Sequence, residues 1–483
     1  MALFEHRSYC NPLSIPDIPR GTDNPLRDTW LVPDDYRSIS DPTVLYWQGK
    51  WYLYPSYGMA WVSEDFVTWK HVPCTPPEAK PGPQYSPAVT PWGDRFLMTI
   101  HSDGLFAGDT PTGPFEKLGD FIRPDGTEFR AVDAALFTDD DGRIYMYWHG
   151  SRTHPVRGLW SSHTLGAELD LDDPRKLLTE PVILNEFDPS HVWERFGEYN
   201  QDAEKGWIEG QHLVKHNGRY YLIYAACGTQ FAAYAQGVYY SDAGPLGPFV
   251  YQKRNPLTSS RAGLVKGAGH GCVEHGPDGT LWAFYTCTVG YAHCFERRIG
   301  MDRVLVDENG ELCCEGVTQT PQYGPGEALQ GDAGLLPLTV RMREKCDASS
   351  FREGREPVYA LDESMLTWWQ PADGDPQPAL TVRLEAPYTV EASRIVWRDV
   401  GLKYGEGRVP GPFRYRVEGS ADGETWVTLL DRGESCEDLC IDYRTFPPVL
   451  VRQVRLVITG CPAGIRPGVT DFTVFGRRTP GIA

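Results

Sequence analysis

The chain has no long apolar run. Nowhere in its 483 residues does a stretch approach the roughly eighteen apolar positions that a membrane-spanning helix needs, so no membrane association is expected. Positive charge is also short. Lys and Arg number 46 against 65 Asp and Glu, a net charge of −19. Nucleic acid and anionic lipid both call for a basic footprint, so neither is expected as a partner. The twelve cysteines include no CxxC pair, and Cys313 and Cys314 are adjacent, a spacing that rarely closes a disulfide. Structural zinc and a disulfide framework are therefore not expected; reduced thiols in a cytoplasmic protein are. The opening MALFEHRSYC lacks the basic stretch and apolar core of an export signal. No glycine-rich loop leads from a strand into a helix, so no organic cofactor is implied.

What is present points to β-structure. Fifty Gly, forty Pro and 12% aromatics favour turns and strands over helix bundles, and helical periodicity is scarce. The length allows two cores. One pattern recurs five times: GKWYLYPSYG from Gly49, GDRFLMTIHSDG from Gly93, GRIYMYWHGS from Gly142, GRYYLIYAACG from Gly218 and GTLWAFYTCTVG from Gly279. Each has a glycine, a short apolar and aromatic strand, then a small or polar break. An apolar run enters each turn, as in PTVLYWQGK and QHLVKHNGR, which is a hairpin signature. The intervals of 44, 49, 76 and 61 residues suit a four-stranded blade. The expectation is an all-β chain: a five-bladed β-propeller over residues 1–335, followed by a smaller β-domain over 336–483. A two-sheet sandwich with similar hairpins is the alternative for the first part.

Carboxylates stand just upstream of three of these hairpins. Asp41 lies in SISDPTVLYW, Asp133 in FRAVDAALFT and Glu209 in GWIEGQHLV. Blade two has YSPAVTPW there, with Ser86, and blade five has GAGHGCVEH, with His270. A propeller brings equivalent positions of its blades to one axial pocket. Three acids in one pocket are costly unless they have work to do, and hydrolysis of a glycosidic bond requires such a set. Glu209, next to Trp207 and Ile208, sits where an apolar wall would raise its pKa.

These residues resemble glycoside hydrolase family 43. The resemblance rests on Asp41-Pro42, Asp133 and Glu209-Gly210, on SEDFVTW at 63–69 and PTGPF at 111–115, and on GHG at 269–271; it covers about residues 25–325. It implies Asp41 as general base, Glu209 as general acid and Asp133 as the modulator of the acid's pKa, in an inverting reaction on an oligosaccharide. It also implies that His270 lines the axial cavity and helps hold a hydrated Ca²⁺ or Na⁺.

Other residues are open to two readings. Asp139, Asp140 and Asp141 read as a hairpin turn rather than as catalytic acids. Trp51, Trp61, Trp148 and Trp207 are core residues or sugar platforms; Trp61 and Trp148 join Ser86 and His270 as candidate substrate contacts. Arg297 and Arg298 follow the last repeat, where they either reach sugar hydroxyls or form a solvated pair. The 152–206 interval, with FDPSHVWERFGEYNQDAEKG, is expected to cap one side of the pocket and favour exo action.

After about residue 335 the sequence alternates apolar and polar residues, as in SRIVWRDVG and FRYRVEGSADGETWVTLL, the pattern of an antiparallel β-sandwich. SADGETW at 420–426, the Trp368-Trp369 run and VTDFTVFG at 469–476 resemble the discoidin-like jelly roll of family 32 carbohydrate-binding modules. That implies either sugar binding through exposed loop aromatics or a packing role against the propeller. The leading expectation for function is an exo-acting inverting glycosidase. Its bond would be an α-L-arabinofuranoside, with β-D-xyloside and β-D-galactofuranoside as alternatives. A propeller lectin without catalysis is the rival of a different class. Nothing in the sequence bears on oligomeric state.

Overall fold

The computed structural model describes residues 7–17, 35–56, 59–74, 85–290 and 292–478. Most of the N-terminal stretch on which the leader expectation rests lies outside them. The described chain is built from strands, with four short 3₁₀ turns as its helical elements, and no helix of it is long and apolar enough to cross a membrane.

Five four-stranded meanders follow one another, over 43–73, 88–119, 132–186, 209–251 and 269–314. Every repeat found in the sequence opens the second strand of a blade. The turns before them explain the glycines. Gln48 and Gly49 both have positive φ (50° and 82°), as do Asn217 and Gly218 (51° and 82°). Two successive left-handed residues make the tight hairpin turn whose twist matches that of its strands.

The aromatic and aliphatic strands are apolar on both sides because each blade faces two neighbours. One buried cluster, with Tyr54, Phe96 and Met98, joins blades one and two. A second, with Leu97, Leu136 and Met146, joins two and three. Tyr147 and Leu222 lie in the cluster between three and four, and Ile223 and Ala283 in that between four and five. Val44, Trp51 and Phe284 close the ring between five and one. Burial at about 25 cal/mol per Å² makes these seams the main source of stability.

Two expected contacts with sugar are part of these seams instead. Trp61 is 1% exposed, donates from its indole to the Pro16 carbonyl and packs in the cluster between blades five and one. Trp148 is buried between blades two and three against Phe129. Both lie on blade faces, which a neighbour covers. The 152–206 interval is also more than a cap. It carries the outer strands of blade three, Trp160–Glu168 and Val182–Glu186, before the excursion that holds the hairpin Arg195–Phe196 with Asp202–Gly206.

The C-terminal domain is a seven-stranded antiparallel sheet around one large core. Two long strands, Ala379–Val400 and Ile441–Gly460, run through it. The first shifts register between Arg383 and Tyr388 and again between Val390 and Ala392. Its early part pairs with Cys346–Ala348 and its later part with Arg466–Arg478, so one strand serves both halves of the domain. Trp368 and Trp369 are buried, and Trp426 lies under the Arg455 guanidinium, 4.0 Å from its ring centre. The domain is joined to the propeller. Arg394, paired with Asp471, donates to the carbonyls of Asn11 and Gln319, and apolar clusters link Leu264 and Val289 to Val396 and Ile441.

Candidate active site

The entrances of the five blades share one backbone position. Val44, Val89, Leu136, Leu213 and Val273 pair with Leu53, Met98, Met146, Leu222 and Ala283 of their second strands. Three residues ahead of them stand Asp41, Ser86, Asp133, Gly210 and His270. At four of these the chain is left-handed, with φ of 51°, 46°, 51° and 61° in that order. A non-glycine residue is uncommon there and costs of order 1–3 kcal/mol when held so, a cost that clusters at functional sites. In blade four the kink falls on glycine and the acid, Glu209, stands one residue earlier. The reason is His270: a Cβ on Gly210 would lie 2.7 Å from its ring carbon Cγ.

Asp41 is buried and held on both oxygens. Arg297 donates from Nη1 to Oδ1 and from Nη2 to Oδ2, each at 3.1 Å. Ser56 donates to Oδ2 at 2.5 Å and Ser40 at 3.0 Å, while the Asp41 N–H donates to Thr286 Oγ1 at 2.8 Å. His270 Nδ1 lies 3.6 Å from Oδ1. Burial pushes this carboxyl up, but Arg297, His270 and the Ser56 hydroxyl outweigh it and hold it below the ordinary range. Asp41 is ionised.

Asp133 is largely covered, with its side chain 13% exposed. Burial again pushes upward, and His101, His270 and Ser86 reverse it, leaving the group below its ordinary value. His101 Nδ1 is 2.8 Å from Oδ1, and this bond raises the imidazole pKa in return. Gln211 donates its side-chain amide to the Asp133 carbonyl.

Glu209 differs in sign. Burial raises its pKa and the neighbouring Asp133 charge adds to the rise; His270 and donors from Tyr234 and Trp207 oppose it without cancelling it. Tyr234 O–H donates to Oε1 at 2.6 Å and Trp207 Nε1–H to Oε2 at 2.5 Å. The Trp207 ring lies between His149 and Trp160, with centroids at 5.2 and 5.6 Å, and Trp160 is 38% exposed. The pocket thus holds an ionised carboxylate and a carboxyl biased toward its protonated form, with Asp133 coupled to both. Such a pair can take a proton from water at one side of a bond and give one at the other.

Residues 36–312 match the family described as glycosyl hydrolases family 43. The chain belongs to that family. As a family 43 protein it is a glycoside hydrolase, and residues 345–467 match the F5/8 type C domain. It is 26% identical over 288 residues to a β-xylosidase of Xylanibacter ruminicola, covering 47% of this chain and 82% of that one. It is also 26% identical over 329 residues to a β-D-galactofuranosidase of Aspergillus niger, covering 61% and 85%. The solved structure of a thermostable family-43 glycoside hydrolase superposes with a TM-score of 0.52 at 24% identity, over 66% of this chain and 99% of that one. At that identity the likeness speaks to the fold.

Of the residues singled out from sequence, the structure gathers Asp41, Ser86, Asp133, Glu209, His270 and Arg297. It does not bring Trp61, Trp148 or Arg298 to them. Arg298 is buried and donates to the carbonyls of Arg37 and Arg297, so the Arg297-Arg298 pair is not solvated: alternation along the strand sends one to Asp41 and the other away. Ser56, His101, Tyr234 and Thr286 were not foreseen. Ser56 and His101 had a signal, since each is the polar break that ends its repeat. Among the described residues no group of three or more His, Cys, Asp or Glu could hold a metal ion.

Proposed function

We propose that this chain is an exo-acting, inverting glycosidase that releases a terminal pentosyl or furanosyl residue from an oligosaccharide. In this reading Glu209 is the acid, Asp41 the base and Asp133 the group that keeps Glu209 protonated. Glu209 gives its proton to the glycosidic oxygen as the bond from that oxygen to the anomeric carbon breaks. Asp41 takes a proton from the water whose oxygen bonds to that carbon from the opposite face. Inversion needs room for that water, about 6.5–9.5 Å between the two carboxyls. Arg297, Ser56 and Ser40 fix the base in one orientation, so no side-chain search precedes proton transfer. The observation that carries the reading is the contrast within one site between Asp41, gripped on both oxygens by Arg297, and Glu209, whose pKa burial and the Asp133 charge push up.

An α-L-arabinofuranoside is the first choice of bond, with β-D-xyloside and β-D-galactofuranoside beside it; the names of the relatives support the latter two. Exo action is supported by the excursion after blade three, where Phe196 packs edge-on against Phe231, two residues from the Thr229 that Arg297 engages. Trp160 and Trp207, next to the acid, offer a wall for the leaving group. A hydrated cation on the axis fits the donor set only through its waters. His270 supplies one imidazole and Gln211 a buried amide oxygen without a hydrogen-bond partner. Such an ion would add positive charge beside the carboxylates.

The test is hydrolysis of aryl α-L-arabinofuranoside, β-D-xyloside and β-D-galactofuranoside by wild type, Asp41→Asn and Glu209→Gln, with NMR of the first-formed anomer. One sugar should be released with inverted configuration. Asp41→Asn should silence it, and Glu209→Gln should spare the aryl substrate more than a disaccharide. Sugar binding without turnover in the wild type would defeat the proposal in favour of a lectin.

A further inference from the structure

The C-terminal domain reaches the active site through an arginine. Arg37 lies four residues before Asp41, with its side chain 3% exposed. Its guanidinium donates from Nε and Nη2 to the two oxygens of Asp399, at 2.8 and 3.0 Å, and from Nη1 to Asp438 at 2.8 Å and to Asp17 at 3.0 Å. Asp399 and Asp438 belong to the C-terminal domain. The backbone continues the connection. Arg298 donates to the carbonyls of Arg37 and Arg297, and the Ile39 N–H donates to the Arg297 carbonyl at 3.0 Å. One residue further, Glu296 pairs with Arg398 of the C-terminal domain at 2.7 Å. Two short segments, 37–41 and 296–298, are thus clamped together. One ends in Asp41 and the other holds Arg297, its bidentate partner.

We propose that Asp399 and Asp438 are positioning residues for the hydrolytic site: by gripping Arg37 they hold the segment that aims Asp41 at Arg297. The inference rests on Asp41 being the base. It gives the C-terminal domain a part in catalysis that needs no sugar bound to it. The grip is bidentate to Asp399, a geometry that fixes direction as well as distance. It is buried, so solvent screens it little. Around Arg37 the charges are Asp17, Asp399, Asp438 and Arg298, and the surplus of carboxylate shows in Asp438, where burial raises the pKa to about 6. With Asp399 neutralised, Arg37 keeps Asp438 and Asp17 but loses the planar fork that sets its orientation.

The test compares Asp399→Asn and Asp438→Asn with Asp471→Asn in the full chain. Asp471 also pairs with an arginine at the domain junction, Arg394, but that arginine contacts Asn11 and Gln319 rather than the Asp41 segment. All three variants should melt lower than wild type. Only the Asp399 and Asp438 variants should lose kcat, by about ten- to a hundredfold as expected of small misplacements. In those two the acidic limb of kcat/KM should also move up, because an Asp41 held less well by Arg297 regains part of its ordinary pKa. If Asp399→Asn does not fold, Arg37→Lys keeps the cation, removes the fork and should give the same two changes. Equal melting losses with kcat and the acidic limb unmoved would overturn the inference. Asp41→Asn, run alongside, separates the failures: if it turns over normally the base assignment falls first, and if it is dead while Asp399→Asn is normal, the positioning role alone is refuted.

Discussion

Removing one hydroxyl from beside the acid should move the alkaline side of the pH profile. Tyr234 donates to Glu209 Oε1 at 2.6 Å, and the phenol is wedged so that a Cβ on Gly269 would lie 2.2 Å from its ring. Phe therefore keeps the ring in place, and Tyr234→Phe removes only the donor. A hydrogen bond to a charged acceptor contributes about 1.5–3 kcal/mol, and one between neutral groups about 1. The phenol can turn and accept from the protonated acid, so it is bonded in both states. The difference between those states is then about 1 kcal/mol, a little under one pKa unit. The sign follows from which form is favoured: the donor steadies the carboxylate, so losing it raises a pKa that burial has already raised. Glu209 must be protonated to act, so the alkaline limb of kcat/KM moves up by about 0.5–1 unit. The assay is a pH series on a disaccharide, whose leaving group needs the proton, with urea unfolding as the check on integrity. A limb that stays put or moves down in a folded variant would show that Glu209 does not set it.

Three further outcomes are expected. Gly210→Ala places a Cβ at φ 61° and 2.7 Å from His270 Cγ; left-handed strain and overpacking together should cost about 2–4 kcal/mol in urea unfolding and impair turnover, and a change under about 0.5 kcal/mol would contradict the account of the kink. Burial raises Asp302 to about 7 against an ordinary 3.8, so the folded state binds the extra proton and stability falls as pH rises between those values, by at most about 4 kcal/mol; Asp302→Asn should flatten that slope in urea midpoints, and an unchanged slope would refute it. Trp160→Ala, which removes the exposed ring stacked on Trp207, should lower kcat/KM for a disaccharide about two- to tenfold and leave a small aryl glycoside nearly untouched; equal losses on both would place Trp160 outside the leaving-group wall.

The propeller is legible because its signal repeats: glycine turns and double-sided apolar strands recur at blade spacing, and no other part of the chain imitates them. The three acids are legible for the same reason, Asp41 and Asp133 standing at one offset from those strands and Glu209 one residue earlier. Trp61 and Trp148 misled because strand alternation cannot say which face meets a neighbour when both faces do. Arg298 misled because charge alone suggests solvent, whereas it is buried and its Nη1 donates to two backbone carbonyls. Tyr234 reaches Glu209 from the loop that follows blade four's second strand, and Arg37 finds its partners 362 and 401 residues away. Contacts of that kind depend on how blades and domains close, which no local pattern encodes.

The left-handed kink at the blade entrances separates an address from its occupant. Backbone shape, shared by Asp41, Ser86, Asp133 and Gly210, determines that something is presented to the axis; the side chain alone determines what arrives there. Such a site is closer to a keyboard than to a mould, since one note can be changed while the instrument stays whole. Blade two now sounds a hydroxyl from Ser86, and an acid in its place would bring a fourth carboxyl group to the axis with every strand pairing of that blade retained.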